Sequence, residues 1–265
     1  MPPFDLEQGK LSVRVSEGVY YQLLADVDDF GFRKSDGSDN HNAFFNQLLP
    51  NLIAYRIEKR KNLRDFLEES IIHCVKENFQ NKILYILDDL FDFSYFNDNK
   101  EHYHRQTFHF RLNKENIIKL QGFFNDLKTL NQNKTSYLRN LFNEYANMRK
   151  DKRESLCFEY EYALLCNAIE NKSSITCSFN SSNYSLIPYK IDLNYVDGSL
   201  YLLALETDNL NICHTFRLCW LRNIIERDRY ECKLSDKTID MLERLIYDYD
   251  YTNKPTIYLS RLKKN

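Results

Sequence analysis

The sequence predicts an α+β chain made of two unlike parts. A duplicated strand–helix–helix region fills residues 1–153, and a small, strongly bent β-sheet or barrel follows it, with a helix near the carboxy terminus. Three observations carry this expectation. The stretch "LSVRVSEGVYYQLL" from Leu11 overlays "FHFRLNKENIIKLQ" from Phe108 without a gap, so that Arg14 falls on Arg111 and Ser16 on Asn113. A loop and a second helical pattern follow each copy in the same order. Past residue 153 the composition shifts to short alternating runs, and Asp197-Gly198 between two β-prone runs signals a hairpin.

In the first copy, Leu11, Val13 and Val15 alternate with Lys10, Ser12 and Arg14, the period of a strand with one buried face. Ser16 is placed to cap a helix that carries Val19, Tyr20, Leu23, Leu24, Val27 and Phe30 at helical spacing, with Gly31 near its expected stop. The polar loop "RKSDGSDNHN" leads to a second helix, Phe44 to Ile57, which Pro50 is expected to interrupt. The second copy puts Phe108, Phe110 and Leu112 inward against Thr107, His109 and Arg111, with Asn113 as cap. Its first helix runs from Ile117 to Leu127 and its second begins near Thr135. The repeats span about residues 10–60 and 107–150. Between them, two helices are expected, one with Leu63, Phe66, Leu67, Ile71 and Val75 and one from Ile83 to Phe91, as a connector between the copies.

Composition narrows the function classes. The chain has 265 residues, is 43% hydrophobic and carries a net charge of −2, which argues against wholesale coating of nucleic acid. The charge is unevenly spread: residues 105–153 hold 11 Lys/Arg against 4 Asp/Glu, so the basic block coincides with the second copy. Seven cysteines form no CxxC pair and follow no apolar leader, which implies reduced thiols and a cytoplasmic setting. No apolar run is long enough for a membrane span, so no membrane partner is expected.

Catalytic and metal motifs fail on inspection. Asp29-Phe30-Gly31 lacks the other kinase segments, and "DVDDFG" lacks the spacing of a calcium loop. His102, His104 and His109 lack a further ligand at defined geometry. Cys213-His214 and His73-Cys74 are sequence neighbours, which points their side chains apart. No enzyme, no cofactor and no metal are expected.

A single short strand cannot satisfy its own backbone, so each copy needs a partner strand, and the other copy offers one. This arrangement resembles the ribbon-helix-helix family, in which two strand–helix–helix units pair their strands antiparallel and place the ribbon in the DNA major groove. Here the resemblance implies both halves in one chain, a pseudo-dimer. It assigns Lys10, Ser12, Arg14, Thr107, His109 and Arg111 to the nucleic-acid face, and backbone N–H groups near Asn42 and near Thr135 and Ser136 to phosphates. Two amphipathic strands of an unrelated α+β domain produce the same binary pattern.

The second part carries its own resemblance. Residues 154–225, with Pro188-Tyr189-Lys190, Leu200-Tyr201-Leu202 and Thr215-Phe216-Arg217-Leu218 in order, resemble the WYL domain, a bacterial regulatory module with an Sm-like barrel. Leu200 stands where that family has Trp, and Cys219-Trp220 where it commonly has Asp-Arg. The resemblance implies that Tyr189, Lys190, Tyr201 and Arg217 bind a ligand or RNA; packing of Tyr201 in the barrel and a surface role for Arg217 are the plainer alternatives. Residues 226–265 are read as an extension, a helix capped at Ser235 and the strand "KPTIYLSRL".

The pairing of the two modules resembles accessory WYL proteins of type VI CRISPR systems, whose effector is an RNA-guided ribonuclease. It implies a non-enzymatic protein that binds nucleic acid, single-stranded RNA in the first place, with a CRISPR effector as partner. A ligand-responsive regulator that binds duplex DNA, and a protein-interaction scaffold with a degenerate ribbon, are the rival readings. Oligomeric state is open at this stage.

Overall fold

The computed structural model describes residues 9–74, 105–129, 132–230, 235–236, 238–240, 242 and 256–258. The chain divides into two compact units, Met1–Met148 and Arg149–Asn265, which are described separately.

Unit 1 follows the repeated order. Strand β1 (Lys10–Ser16) leads into α1 (Glu17–Asp29) and α2 (His41–Cys74), and β2 (Arg105–Arg111) leads into α3 (Lys114–Thr129) and α4 (Lys134–Ala146). The strands pair antiparallel as a two-stranded sheet, with Lys10 opposite Arg111, Ser12 opposite His109 and Arg14 opposite Thr107. Shifting one copy onto the other by 97 residues sends Ser12 to His109, and these two residues face each other. The register is therefore symmetric about that pair, as it would be at the twofold axis of a dimer of identical chains. Leu11, Val13, Val15, Phe108 and Phe110 point inward and are buried. They meet a cluster of rings in which Phe45 stacks on Phe110 at 4.2 Å and packs against Phe108 and Phe142 at 5.2 and 5.4 Å. Removing so much aromatic surface from water is the main stabilisation available to this small unit.

The capping residues also repeat. Asn40 Oδ1 accepts from Ala43 N ahead of α2, and Asn133 Oδ1 accepts from Thr135 N and Ser136 N ahead of α4. Asn113 caps α3 through Asn116 N, whereas Ser16 has the extended backbone of a cap before α1 but makes no capping bond with its side chain. Gly31, at φ 74°, ends α1 in the left-handed region where a glycine costs least.

Pro50 does not interrupt the second helix. Helix α2 runs unbroken from His41 to Cys74, through Pro50 and on through the segment expected to form a separate connector helix. Proline removes the N–H that Asn46 O would accept, and the buried Asn116 replaces it, donating from Nδ2 to Asn46 O at 2.7 Å. The second connector helix, with Ile83 to Phe91, lies outside the described residues, as does Val75.

Unit 2 opens with α5 (Lys150–Cys157) and α6 (Glu159–Asn171). The two helices are separated at Phe158, whose φ of −112° and ψ of 42° leave the helix while its ring stays buried. Strands β3 (Ser173–Phe179), β4 (Ser182–Leu193), β5 (Leu200–Glu206), β6 (Ile212–Arg217), β7 (Arg222–Arg229) and β8 (Thr256–Tyr258) form one antiparallel sheet in the order β7-β3-β4-β5-β6-β8. A 3-10 turn, Leu218–Trp220, joins β6 to β7. The hairpin between β4 and β5 turns at Gly198, φ 71°, and Asp197 Oδ1 accepts from Ser199 N. Pro188 sits inside β4 next to a bulge, where the missing N–H is tolerated. Strand β7 carries little apolar pattern: its only buried residue is Ile224, and five of its eight residues are charged. Ser235 caps the following helical turn through Thr238 N, as expected.

Candidate nucleic-acid interface

The outward face of the ribbon is built by alternation. With Leu11, Val13, Val15, Phe108 and Phe110 committed to the core, the residues between them, Lys10, Ser12, Arg14, Thr107, His109 and Arg111, are all exposed. Three of the six are cations and none is a carboxylate. Lys10 and Arg14 pair with no acidic group among the described residues. At the centre, Ser12 Oγ and His109 Nδ1 lie 2.8 Å apart in a hydrogen bond across the strands. Three basic groups on one two-stranded surface attract phosphate, and the Ser–His pair offers polar groups between them.

The helices hold this ribbon from both sides in related ways. Asn46 Nδ2 on α2 donates to Arg111 O at 2.8 Å, and Arg139 Nε on α4 donates to Arg14 O at 2.8 Å. The residues expected to meet phosphate at the helix starts are engaged within the unit. Asn42 Oδ1 accepts from Arg111 N at 3.0 Å, and the Thr135 and Ser136 amides donate to Asn133 at 2.9 and 3.2 Å. An amide already given to a cap is a poorer phosphate donor, so the side chains of the ribbon are the stronger feature.

In unit 2 the four residues marked by resemblance lie in different settings. Tyr189 packs partly buried against the cluster of Ile187, Leu203, Leu205, Cys213 and Leu242. Lys190 is partly exposed, with Nζ 3.9 Å from Asp192 Oδ1. Tyr201 is buried and its hydroxyl donates to Asp197 Oδ2 at 3.0 Å; burial, and then the Asp197 carboxylate, raise its phenol above the usual tyrosine range. Arg217 is buried too, and its Nε donates to Glu154 Oε1 at 3.2 Å.

Glu154 was not singled out by the sequence, where it reads as one more charge in "MRKDKRE". It is fully buried, accepts from Leu200 N at 2.8 Å and from Cys219 N at 3.3 Å, and so ties α5 to β5 and to the turn after β6. Its pKa is raised, because loss of water outweighs the neighbouring Arg217 and the two backbone donors. The only signal that could have marked it is the position of α5 directly before a sheet with one buried arginine.

The adjacent Cys213 and His214 do not form a nucleophile and base. Cys213 Sγ lies 3.8 Å from His214 O, and burial pushes the thiol up to about 12, so thiolate is scarce at neutral pH. His214 stacks on Phe216 and lies edge-on to Tyr184. Among the described residues no group of three or more His, Cys, Asp or Glu is gathered to hold a metal ion, and no helix is long and apolar enough to cross a membrane. His102 and His104 lie outside the described residues.

No family model matches the chain, and no curated protein matches it. Its fold is similar to that in a crystal structure of a CRISPR Cas-related protein, with a TM-score of 0.67 and 15% sequence identity; the match covers 93% of this chain and 72% of that one. At this identity the likeness is one of fold.

Proposed function

We propose that this chain is a non-enzymatic, nucleic-acid-binding accessory protein of a CRISPR system, a WYL-type regulator with a fused ribbon-helix-helix-like region, that binds single-stranded RNA and modulates an RNA-guided ribonuclease. The observation that carries the reading is the extent of the fold likeness to a CRISPR Cas-related protein, which takes in nearly the whole chain. Two features of this chain support it. Unit 1 pairs β1 with β2 symmetrically about Ser12 and His109 and turns three cations outward, as a ribbon closed within one polypeptide would. Unit 2 places a helix before an antiparallel sheet in which β7 returns beside β3, after a 3-10 turn, the order of a small Sm-like barrel.

The ribbon face itself favours a second reading, a regulator that reads duplex DNA, because paired strands with alternating outward cations suit the major groove. Titration of labelled single-stranded RNA and labelled duplex DNA at low and high salt separates the two. RNA preference supports the accessory role, and duplex preference with a steep salt dependence supports the regulator. Arg14→Ala combined with Arg111→Ala weakens duplex binding and leaves RNA binding intact if the two nucleic acids meet different surfaces. No binding of either leaves a protein-interaction scaffold as the function.

A further inference from the structure

Unit 2 has a concavity, on the part of the sheet formed by β7, β3 and β4, that lies apart from Tyr189, Lys190, Tyr201 and Arg217. Its volume is about 350 Å³, and its lining includes Thr176, Asn183, Ser185, Asn223, Ile225 and Arg227. The register explains why they share a surface: Thr176 of β3 is opposite both Ser185 of β4 and Ile225 of β7. Arg227 Nε donates to Thr176 Oγ1 at 3.2 Å, which steadies the guanidinium, and no acidic group among the described residues pairs with it. Asn223, at φ 52°, donates from Nδ2 to Ser178 Oγ at 3.0 Å. No carboxylate lines the cavity.

Each feature narrows what fits. A guanidinium bound only through Nε keeps its two terminal nitrogens for a pair of anionic oxygens. The half-exposed Ile225 offers an apolar contact to a flat ring, and the Asn183 carboxamide offers a donor and an acceptor to a heterocycle edge. The volume lies near the small end of ligand pockets, enough for one such unit and not for several. We propose that this pocket holds one nucleotide unit, with its phosphate on Arg227 and its base against Ile225 beside Asn183. The assignment rests on the nucleic-acid reading above and gives unit 2 an open contact surface where two of the residues marked by resemblance are buried. A free nucleotide and a nucleotide within a strand present the same chemistry.

The test uses the full chain, with AMP by calorimetry and a short labelled single-stranded RNA by fluorescence anisotropy. Arg227→Gln is expected to weaken both at least about tenfold and to lower the salt slope for RNA by about one. Asn183→Ala is expected to weaken AMP binding, and Lys119→Ala, at an exposed position of α3, to change neither. Unchanged melting midpoints exclude unfolding as the cause, since Arg227 and Asn183 are both exposed. RNA binding that survives both pocket variants overturns the pocket and spares the function proposed above. AMP binding that depends on Arg227, without any RNA binding, supports the pocket as a free-nucleotide site and overturns that function. A wild-type chain that binds neither ligand overturns both.

Discussion

Arg139 Nε donates to Arg14 O at 2.8 Å, across 125 residues of sequence. Its counterpart by the repeat is Asn46, which donates to Arg111 O, the carbonyl related to that of Arg14. Each second helix thus clasps the strand of the other copy, which is what two intertwined chains do in a dimer and what one chain does here. Only the side chains differ. Asn46 also accepts from Asn113 N at 2.7 Å and from Asn116 Nδ2 at 3.1 Å, whereas Arg139 is a partly exposed residue.

That difference ranks two variants. Asn46→Ala leaves Arg111 O and Asn113 N without their partner and is expected to destabilise unit 1 by about 2–3 kcal/mol. Arg139→Ala removes the exposed bond to Arg14 O and is expected to cost less than Asn46→Ala, about 1 kcal/mol. Urea unfolding followed by circular dichroism measures both; equal losses would contradict the ranking.

Pro50 and Asn116 form a second testable pair. Asn116→Ala removes the donor that serves the carbonyl freed by proline and is expected to cost about 1–3 kcal/mol. Pro50→Ala supplies a helical N–H to the same carbonyl, so Asn116→Ala is expected to cost less in the Pro50→Ala background. A double-mutant cycle reads the coupling, and strict additivity would refute the compensation.

The Glu154–Arg217 pair is expected to behave as a unit. Arg217→Met strands a buried carboxylate and is expected to cost about 3–5 kcal/mol. Adding Glu154→Gln removes the charge yet keeps an oxygen for Leu200 N or Cys219 N, so the double variant is expected to be more stable than Arg217→Met alone. Chemical denaturation measures the order. A double variant weaker than the single one would show that the carboxylate stabilises unit 2 in its own right.

His214 gives a pH dependence whose sign follows from its surroundings. Burial lowers its pKa below the ordinary 6.5, and the Glu206 carboxylate, 3.9 Å away, raises it less than burial lowers it; the rings of Tyr184 and Phe216 face it on other sides. The unfolded chain therefore takes up this proton first. Stability from neutral His214 is present above the ordinary value and is lost as pH falls through the folded one. Glu154 acts in the opposite sense, since its raised pKa adds stability as pH falls. Both proteins keep Glu154, so the difference between wild type and His214→Phe isolates the histidine. The melting midpoint of wild type is expected to fall more steeply between about pH 7 and about pH 5 than that of the variant. Parallel curves would contradict it.

The parts of this chain that can be read from its residues are those where one local pattern decides the outcome. The alternation of Leu11, Val13 and Val15, and of Phe108, Phe110 and Leu112, announces two half-buried strands because their period is set by the backbone, and Asp197-Gly198 announces its hairpin for the same reason. Pro50 misleads, since the residue that rescues its helix, Asn116, comes from another helix 66 positions on. Strand β7 is hidden because an edge strand needs only one buried side, and "RNIIERDR" buries little more than Ile224. Arg217 stands out as a candidate ligand contact, but its carboxylate partner lies 63 positions earlier, in a run that looks like solvated charge. Side-chain partners across such distances leave no periodic trace.

The most direct measurement is a cross-link at the centre of the ribbon. In Ser12→Cys with His109→Cys, two directly opposed strand positions come within disulfide reach. Mild oxidation followed by peptide mapping is expected to find Cys at 12 joined to Cys at 109 inside a single chain, at a yield independent of protein concentration. A bond that forms only between chains, and that increases with concentration, would show that the two halves do not close on each other and would contradict the fused ribbon.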